Sequence, residues 1–171
     1  MNTAPTSSRE KPEEVLEVIQ PPGAWVRGTL VGIALALTAV FAVAVWLNPY
    51  HDDGSPRRMA THQNMGLPPC TFYASTGLPC PSCGMTTSFS LLMHGDVANS
   101  LRANAVGTLL AVFCLALIPW CLASAVCRRT LFLRSAERAL TVVVLVFLSL
   151  MLLRWGIVLV WAWWTGTPFQ G

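Results

Sequence analysis

The sequence predicts an all-α membrane protein with three transmembrane helices and a short interfacial or re-entrant amphipathic helix in the first loop. Of its 171 residues, 54% are hydrophobic and 11% charged, whereas soluble domains carry about 25% charged residues. The charges are bunched: seven lie in residues 1–27, six in 48–104 and five in 127–138, with Arg154 alone beyond them. Between the clusters run three apolar stretches, 28–47, 105–126 and 139–164. Each supplies the roughly 20 residues that a hydrocarbon core of about 30 Å requires at the helical rise.

Residues 1–24 combine Pro5, Pro12, Pro21 and Pro22 with Ser, Thr and Glu and read as a disordered cytoplasmic tail, leaving 25–171 as the membrane domain. In the first span Ala42-Val43-Ala44 imitates a signal-cleavage site. Glu10, Glu13, Glu14 and Glu17 precede it, however, and the uncharged run exceeds the usual signal core of about 7–15 residues, so a retained anchor is expected. Gly28, Gly32 and Ala36 put small residues on one helical face, where a second backbone can approach closely, within the chain or in a homodimer. The second span should kink near 115–119, because Pro119 lacks a backbone donor and clashes with the preceding turn. Its Cys114, Cys121 and Cys127 behave as small hydrophobes.

Positive charge sets the orientation. Arg128, Arg129, Arg134 and Arg138 crowd the second loop and place it in the cytoplasm, with the N-terminus and its Arg9, Lys11 and Arg27 on the same side. The first loop, with Arg57, Arg58 and Arg102, then lies outside. A single Lys and a net charge of +3 give no nucleic-acid footprint. No phosphate loop, dinucleotide fingerprint, H-E-x-x-H or G-x-S-x-G is present to seat nucleotide-driven or standard hydrolytic chemistry.

The chemistry-bearing segment is 70–96. Met85, Phe89, Leu92 and Met93 share a helical face, so a short amphipathic helix is expected to begin near Pro81, which suits a first turn, and to stop at Gly95. Asp96 is placed to cap a helix leading through Leu101 and Asn104 into the second span. The run Cys70…Thr76-Gly77-Leu78-Pro79-Cys80-Pro81-Ser82-Cys83-Gly84-Met85-Thr86, followed by Leu91-Leu92, Gly95-Asp96 and Asn104, resembles the signature of a bacterial membrane family known as domain of unknown function 2752. That pattern usually has Arg where this chain has Thr87, and Pro where it has Ala105. The resemblance implies a multi-pass protein, which the charge bias orients in the inner membrane; it implies no activity.

Three chemistries fit the cysteines. In an outward loop a pair forms a disulfide that staples the loop, worth about 2–4 kcal/mol. Alternatively Cys80, near first-turn N–H groups that favour a thiolate, attacks a disulfide, with Cys83 as resolver and Cys70 as third partner. Finally Cys-Pro-x-Cys-Gly looks like a zinc knuckle, and Cys70, Cys80 and Cys83 with His94 or His62 would make a Cys₃His site. His51, His62, Asp52 and Asp53, lying among Gly54, Ser55, Pro56, Arg57 and Arg58, read as a solvated linker. Arg154, inside the third span, either snorkels toward the interface or pairs with Asp96, with Asn104 beside it. With no second cysteine pair for a relay and no general base or cofactor motif visible, the sequence favours a non-catalytic membrane or assembly module with a stapled loop. A thiol oxidoreductase and a structural zinc protein are the alternatives.

Overall fold

A computed structural model describes residues 24–127 and 136–165. The expected tail and most of the arginine-rich second loop lie outside them. Five α-helices follow in order among the described residues: α1 (Ala24–Trp46), α2 (Thr71–Thr76), α3 (Met85–Met93), α4 (Val97–Cys127) and α5 (Ala136–Thr165), with a 3-10 turn at Thr61–Met65. No strand is formed there. Helices α1, α4 and α5 are long and apolar enough to cross a membrane.

Helix α1 buries Ala34, Phe41 and Ala44 and packs on α3 and α4. Phe41 stacks on Phe89 of α3, ring centroids 5.6 Å apart. Among the described residues nothing packs closely on the Gly28/Gly32/Ala36 face. A Cβ added at Gly28 or Gly32 would meet nothing within 4 Å, and Ala36 is exposed. The 51–55 segment is an exposed turn closed by His51 N–H to the Ser55 carbonyl and by Ser55 to the Asp53 carboxylate, as expected of a solvated linker.

Helix α3 begins later than the Pro81 start expected of it. Residues 81–84 form a turn instead, because Cys83 N–H bonds back to the Cys80 carbonyl and Gly84 takes φ +82, a left-handed conformation that interrupts helical winding. Within the protein Thr87, Ser88, Ser90 and Leu91 are buried, while Met85, Phe89, Leu92 and Met93 are half-buried. Lipid is as apolar as the side chains it meets, so a helix at the membrane gains by turning hydroxyls inward, where they find partners. Ser90 Oγ donates to the Leu47 carbonyl at 2.8 Å, and Ser100 Oγ donates to the Ser88 carbonyl at 2.7 Å. Thr61 Oγ1 donates to Thr87 Oγ1 at 2.9 Å.

Helix α4 starts as expected. Gly95 has φ +81, and the Asp96 carboxylate accepts the Asn99 N–H, capping Val97–Cys127. Its backbone leaves helical dihedrals at Asn104 (φ −157°, ψ 100°) and is helical again through Pro119, so the helix is broken about four turns before that proline. A proline inside a helix bends it without forcing its neighbours out of helical φ/ψ, whereas Asn104 has partners, described below, that hold it in an extended conformation. Below the break Gly107 permits the close approach of α3: a Cβ there would sit 2.5 Å from Ser88 Oγ.

Helix α5 stands apart. No residue of its most apolar window is buried. It is tied to the rest through Phe147 against Phe113 at 5.7 Å and through Arg154 and Trp155.

Candidate functional site

The turn at 80–83, the start of α2 and the break in α4 bring three sulfurs together. Sγ of Cys70, Cys80 and Cys83 lie within 4.8 Å of one another, all partly exposed. Cys80 and Cys83 sulfurs are 2.9 Å apart. All three are free thiols, so the expected staple is not formed in this state.

The turn directs N–H groups at the sulfurs. The Cys80 N–H donates to Cys83 Sγ at 3.1 Å, and Ser82 Oγ lies 3.4 Å from Cys80 Sγ. Burial alone would push the Cys80 thiol up, but hydrogen bonds from Cys83, Ser82 and Cys70 and from the Ser82 backbone outweigh it and leave Cys80 below its ordinary value. Cys83 moves the other way: burial, together with its hydrogen bond to Cys80 and the charge there, pushes it up to about 12. The source of the split is the turn and not the first turn of a helix.

Asn104 fixes the turn to the span. Its Nδ2 donates to the Cys83 carbonyl at 3.1 Å, and its Oδ1 accepts the Gly107 N–H at 3.0 Å. In an unbroken helix that N–H would go to the Ala103 carbonyl. The freed Ala103 carbonyl accepts Arg154 Nη2 at 3.1 Å and lies against Gly84, where a Cβ would sit 2.7 Å from it. Next to Arg154, Trp155 Nε1 donates to the Pro79 carbonyl at 2.9 Å, and the Trp155 ring meets Phe72 edge-on at 6.2 Å.

Two expectations are corrected here. Asp96 does not partner Arg154. Its carboxylate accepts the Asn99 side-chain N–H at 2.8 Å, and Tyr50 and Arg102 also act on it, because its capping position commits it to the first turn of α4. Exchanging the charges, Asp96→Arg with Arg154→Asp, is therefore expected to restore none of the thermal stability lost in either single variant; recovery in a melting experiment would argue for a direct pair. Nor does His94 or His62 join the sulfurs, which form a group of three among the described residues. His94 Nδ1 lies 2.8 Å from the Ser90 carbonyl one turn back, with its ring edge-on to Tyr50. Gly84, Trp155 and the two captured carbonyls were not expected at the site. Trp155 alone carried a sequence signal, as an aromatic set well inside the Trp161–Trp164 cluster.

No curated protein and no solved structure is significantly similar to the chain. A family model described as Protein of unknown function (DUF2752) matches residues 70–118, a segment that holds all three cysteines and Asn104 but neither Arg154 nor Trp155. The match supports the family assignment over that segment.

Proposed function

We propose that this is a multi-pass protein of the bacterial inner membrane, cysteine loop outward and N-terminus cytoplasmic, whose three-cysteine centre performs thiol–disulfide exchange. The observation that supports this reading is the convergence of three free, partly exposed sulfurs within 4.8 Å. In the reaction the Cys80 thiolate attacks one sulfur of a partner disulfide and expels the other as a thiolate. Cys83, giving its proton to that leaving thiolate, then attacks Cys80 Sγ, releasing the second partner sulfur as a thiolate and leaving a Cys80–Cys83 disulfide. Capping Cys80 removes the neighbouring charge that helps to keep Cys83 protonated, so attack by Cys83 is eased when it is needed. The staple expected from sequence becomes the oxidised state of the pair, with Cys70 in reach of both sulfurs.

A second reading is a zinc centre, favoured by the same convergence and by the N–H groups aimed at sulfur. It supplies three of the four ligands that a closed site needs, the fourth coming from outside the cluster. The assembly-module reading draws on the uncovered Gly28/Gly32/Ala36 face.

Residue-resolved alkylation of the membrane-embedded protein, with metal analysis, separates the three. Thiol exchange predicts that Cys80 is modified well ahead of Cys83 at neutral pH, with its rate rising through a midpoint below the ordinary 9.0. Cys83 stays unreactive until about pH 12, and oxidised glutathione converts the pair to a disulfide. Joint protection of all three cysteines that a chelator lifts, with one equivalent of zinc, would establish the metal centre instead. Free thiols without metal or exchange would defeat all three, the stapled module included.

A further inference from the structure

The three sulfurs are held together from the spans. Trp155 braces two arms of the centre: its ring meets Phe72, two residues past Cys70, and its Nε1 holds the Pro79 carbonyl, one residue before Cys80. Asn104 holds the third arm through the Cys83 carbonyl. The convergence is thus built by contacts outside the loop and needs no bond between the sulfurs. All six cysteines and all three histidines of the chain lie among the described residues, yet the group of neighbouring metal-ligating atoms closes at Cys70, Cys80 and Cys83. His94 turns its Nδ1 to the Ser90 carbonyl, and Cys114, the next cysteine along α4, lies ten residues, about 15 Å, beyond Asn104. No carboxylate of the described residues joins the group. The chain presents three sulfur ligands and no fourth Cys or His.

The centre stands at the edge of the apolar layer. At the far end of the bundle Arg27 Nε donates to the Ala125 carbonyl, and a charged side chain there marks one boundary. From Ala125 back to Ala103 the 22 residues of α4 rise about 33 Å, against a hydrocarbon core of about 30 Å. The Ala103 carbonyl, which lies against Gly84, therefore marks the other boundary, and the cysteine turn lies with it. There a dissolved ion has access to the partly exposed thiols.

We propose that the reduced centre is a three-coordinate site for copper(I), bound by the Sγ atoms of Cys70, Cys80 and Cys83. Thiolates select soft ions, chiefly copper(I) and zinc. Ligand count separates the two: a closed zinc site takes four, whereas copper(I), with a single charge, is satisfied by three thiolates. Three sulfurs in a plane, each about 2.3 Å from a central ion, are about 4 Å apart, inside the 4.8 Å that encloses the group. Cys80 and Cys83, at 2.9 Å, open by about 1 Å through side-chain rotation to reach that spacing. The Cys80 N–H on Cys83 Sγ and the Ser82 hydroxyl beside Cys80 Sγ offset part of the negative charge that three thiolates leave around a monovalent ion. On binding, three S–H bonds break and three sulfur–copper bonds form; the protons go to the medium and copper stays monovalent, so no electron moves. The site goes beyond thiol–disulfide exchange and alternates with it, because a Cys80–Cys83 disulfide withdraws two of the three ligands and releases the ion.

The test uses the full chain in detergent, reduced and then freed of reductant under nitrogen. One arm is titrated with copper(I) against an excess of bicinchoninate, a second with zinc against a colorimetric zinc indicator, and a third, without metal, receives oxidised glutathione. The expected result is one copper(I) per chain with three sulfur neighbours by X-ray absorption. Replacing Cys70, Cys80 or Cys83 with serine should weaken binding by more than the roughly 10–100-fold that loss of an outer-shell partner costs, while Cys114→Ser and Cys127→Ser bind as the wild type does. The wild-type stoichiometry and sulfur count stand whether or not a variant folds poorly. Zinc held with a fourth ligand, where bicinchoninate strips copper(I), would overturn the copper assignment in favour of the zinc centre. Copper binding that survives Cys70→Ser, or no metal in either arm, would overturn it too. The glutathione arm reports on exchange alone: copper without disulfide formation sinks only the exchange reading, and disulfide formation without copper sinks only this one.

Discussion

Replacing Asn104 with alanine is expected to destabilise the protein by roughly 2–5 kcal/mol and to open the cysteine turn. The residue is 1% exposed, and its side chain satisfies two backbone groups, the Cys83 carbonyl and the Gly107 N–H. Stranding a buried polar group costs about 1–3 kcal/mol, and here two are stranded together. The melting temperature in detergent should fall, and Cys83 alkylation at neutral pH should accelerate in the same preparation. Asn104→Asp is a sharper control. It keeps an acceptor for Gly107, loses the donor to Cys83 and buries a charge, so it should be no better tolerated than alanine. An unchanged melting temperature with an unchanged Cys83 rate would sink the view that Asn104 joins the turn to the span.

Gly84→Val is expected to be of comparable severity and to act on the third span. Gly84 has φ +82, and a Cβ there would lie 2.7 Å from the Ala103 carbonyl and 3.0 Å from that of Arg58. The left-handed conformation alone costs an ordinary residue about 1–2 kcal/mol; the collision with two backbone oxygens comes on top. Gly95 separates the two causes, since its φ is +81 but a Cβ there meets open space. Gly95→Ala should thus lose only the conformational part. Because the Ala103 carbonyl also receives Arg154, displacing it should release α5. Trp155 fluorescence should shift as its hydrogen bond to Pro79 is lost, in the Gly84 variant and not in the Gly95 one. Equal melting temperatures for the two variants would show that the close approach contributes nothing.

Much of the fold was legible because a bilayer demands long uncharged helices, and the three spans follow from charge spacing. Gly95 and Asp96 announced the joint before α4 through turn and capping chemistry that operates within a few residues. Less legible was what α3 turns toward the protein: Ser88, Ser90 and Thr87 are buried there because hydroxyls against lipid need partners. The sulfur cluster could be named as a candidate from Cys70, Cys80 and Cys83. Its setting could not, because the groups that Arg154, Trp155 and Asn104 hold are backbone carbonyls, which leave no mark on residue type. For the same reason Asp96 looked like the obvious partner for Arg154: a sequence displays carboxylates and hides carbonyls freed by a broken helix.

The two ties from α5 reach 51 and 76 residues back along the chain, to Ala103 and Pro79. In biosynthetic order this makes the centre a late product. At ribosomal rates of about 5–20 residues per second, the cysteine loop precedes Arg154 and Trp155 by several seconds. During that interval the Ala103 and Pro79 carbonyls have no α5 donor. The third span therefore acts as a closing bolt, and whatever first meets the nascent thiols does so before it arrives.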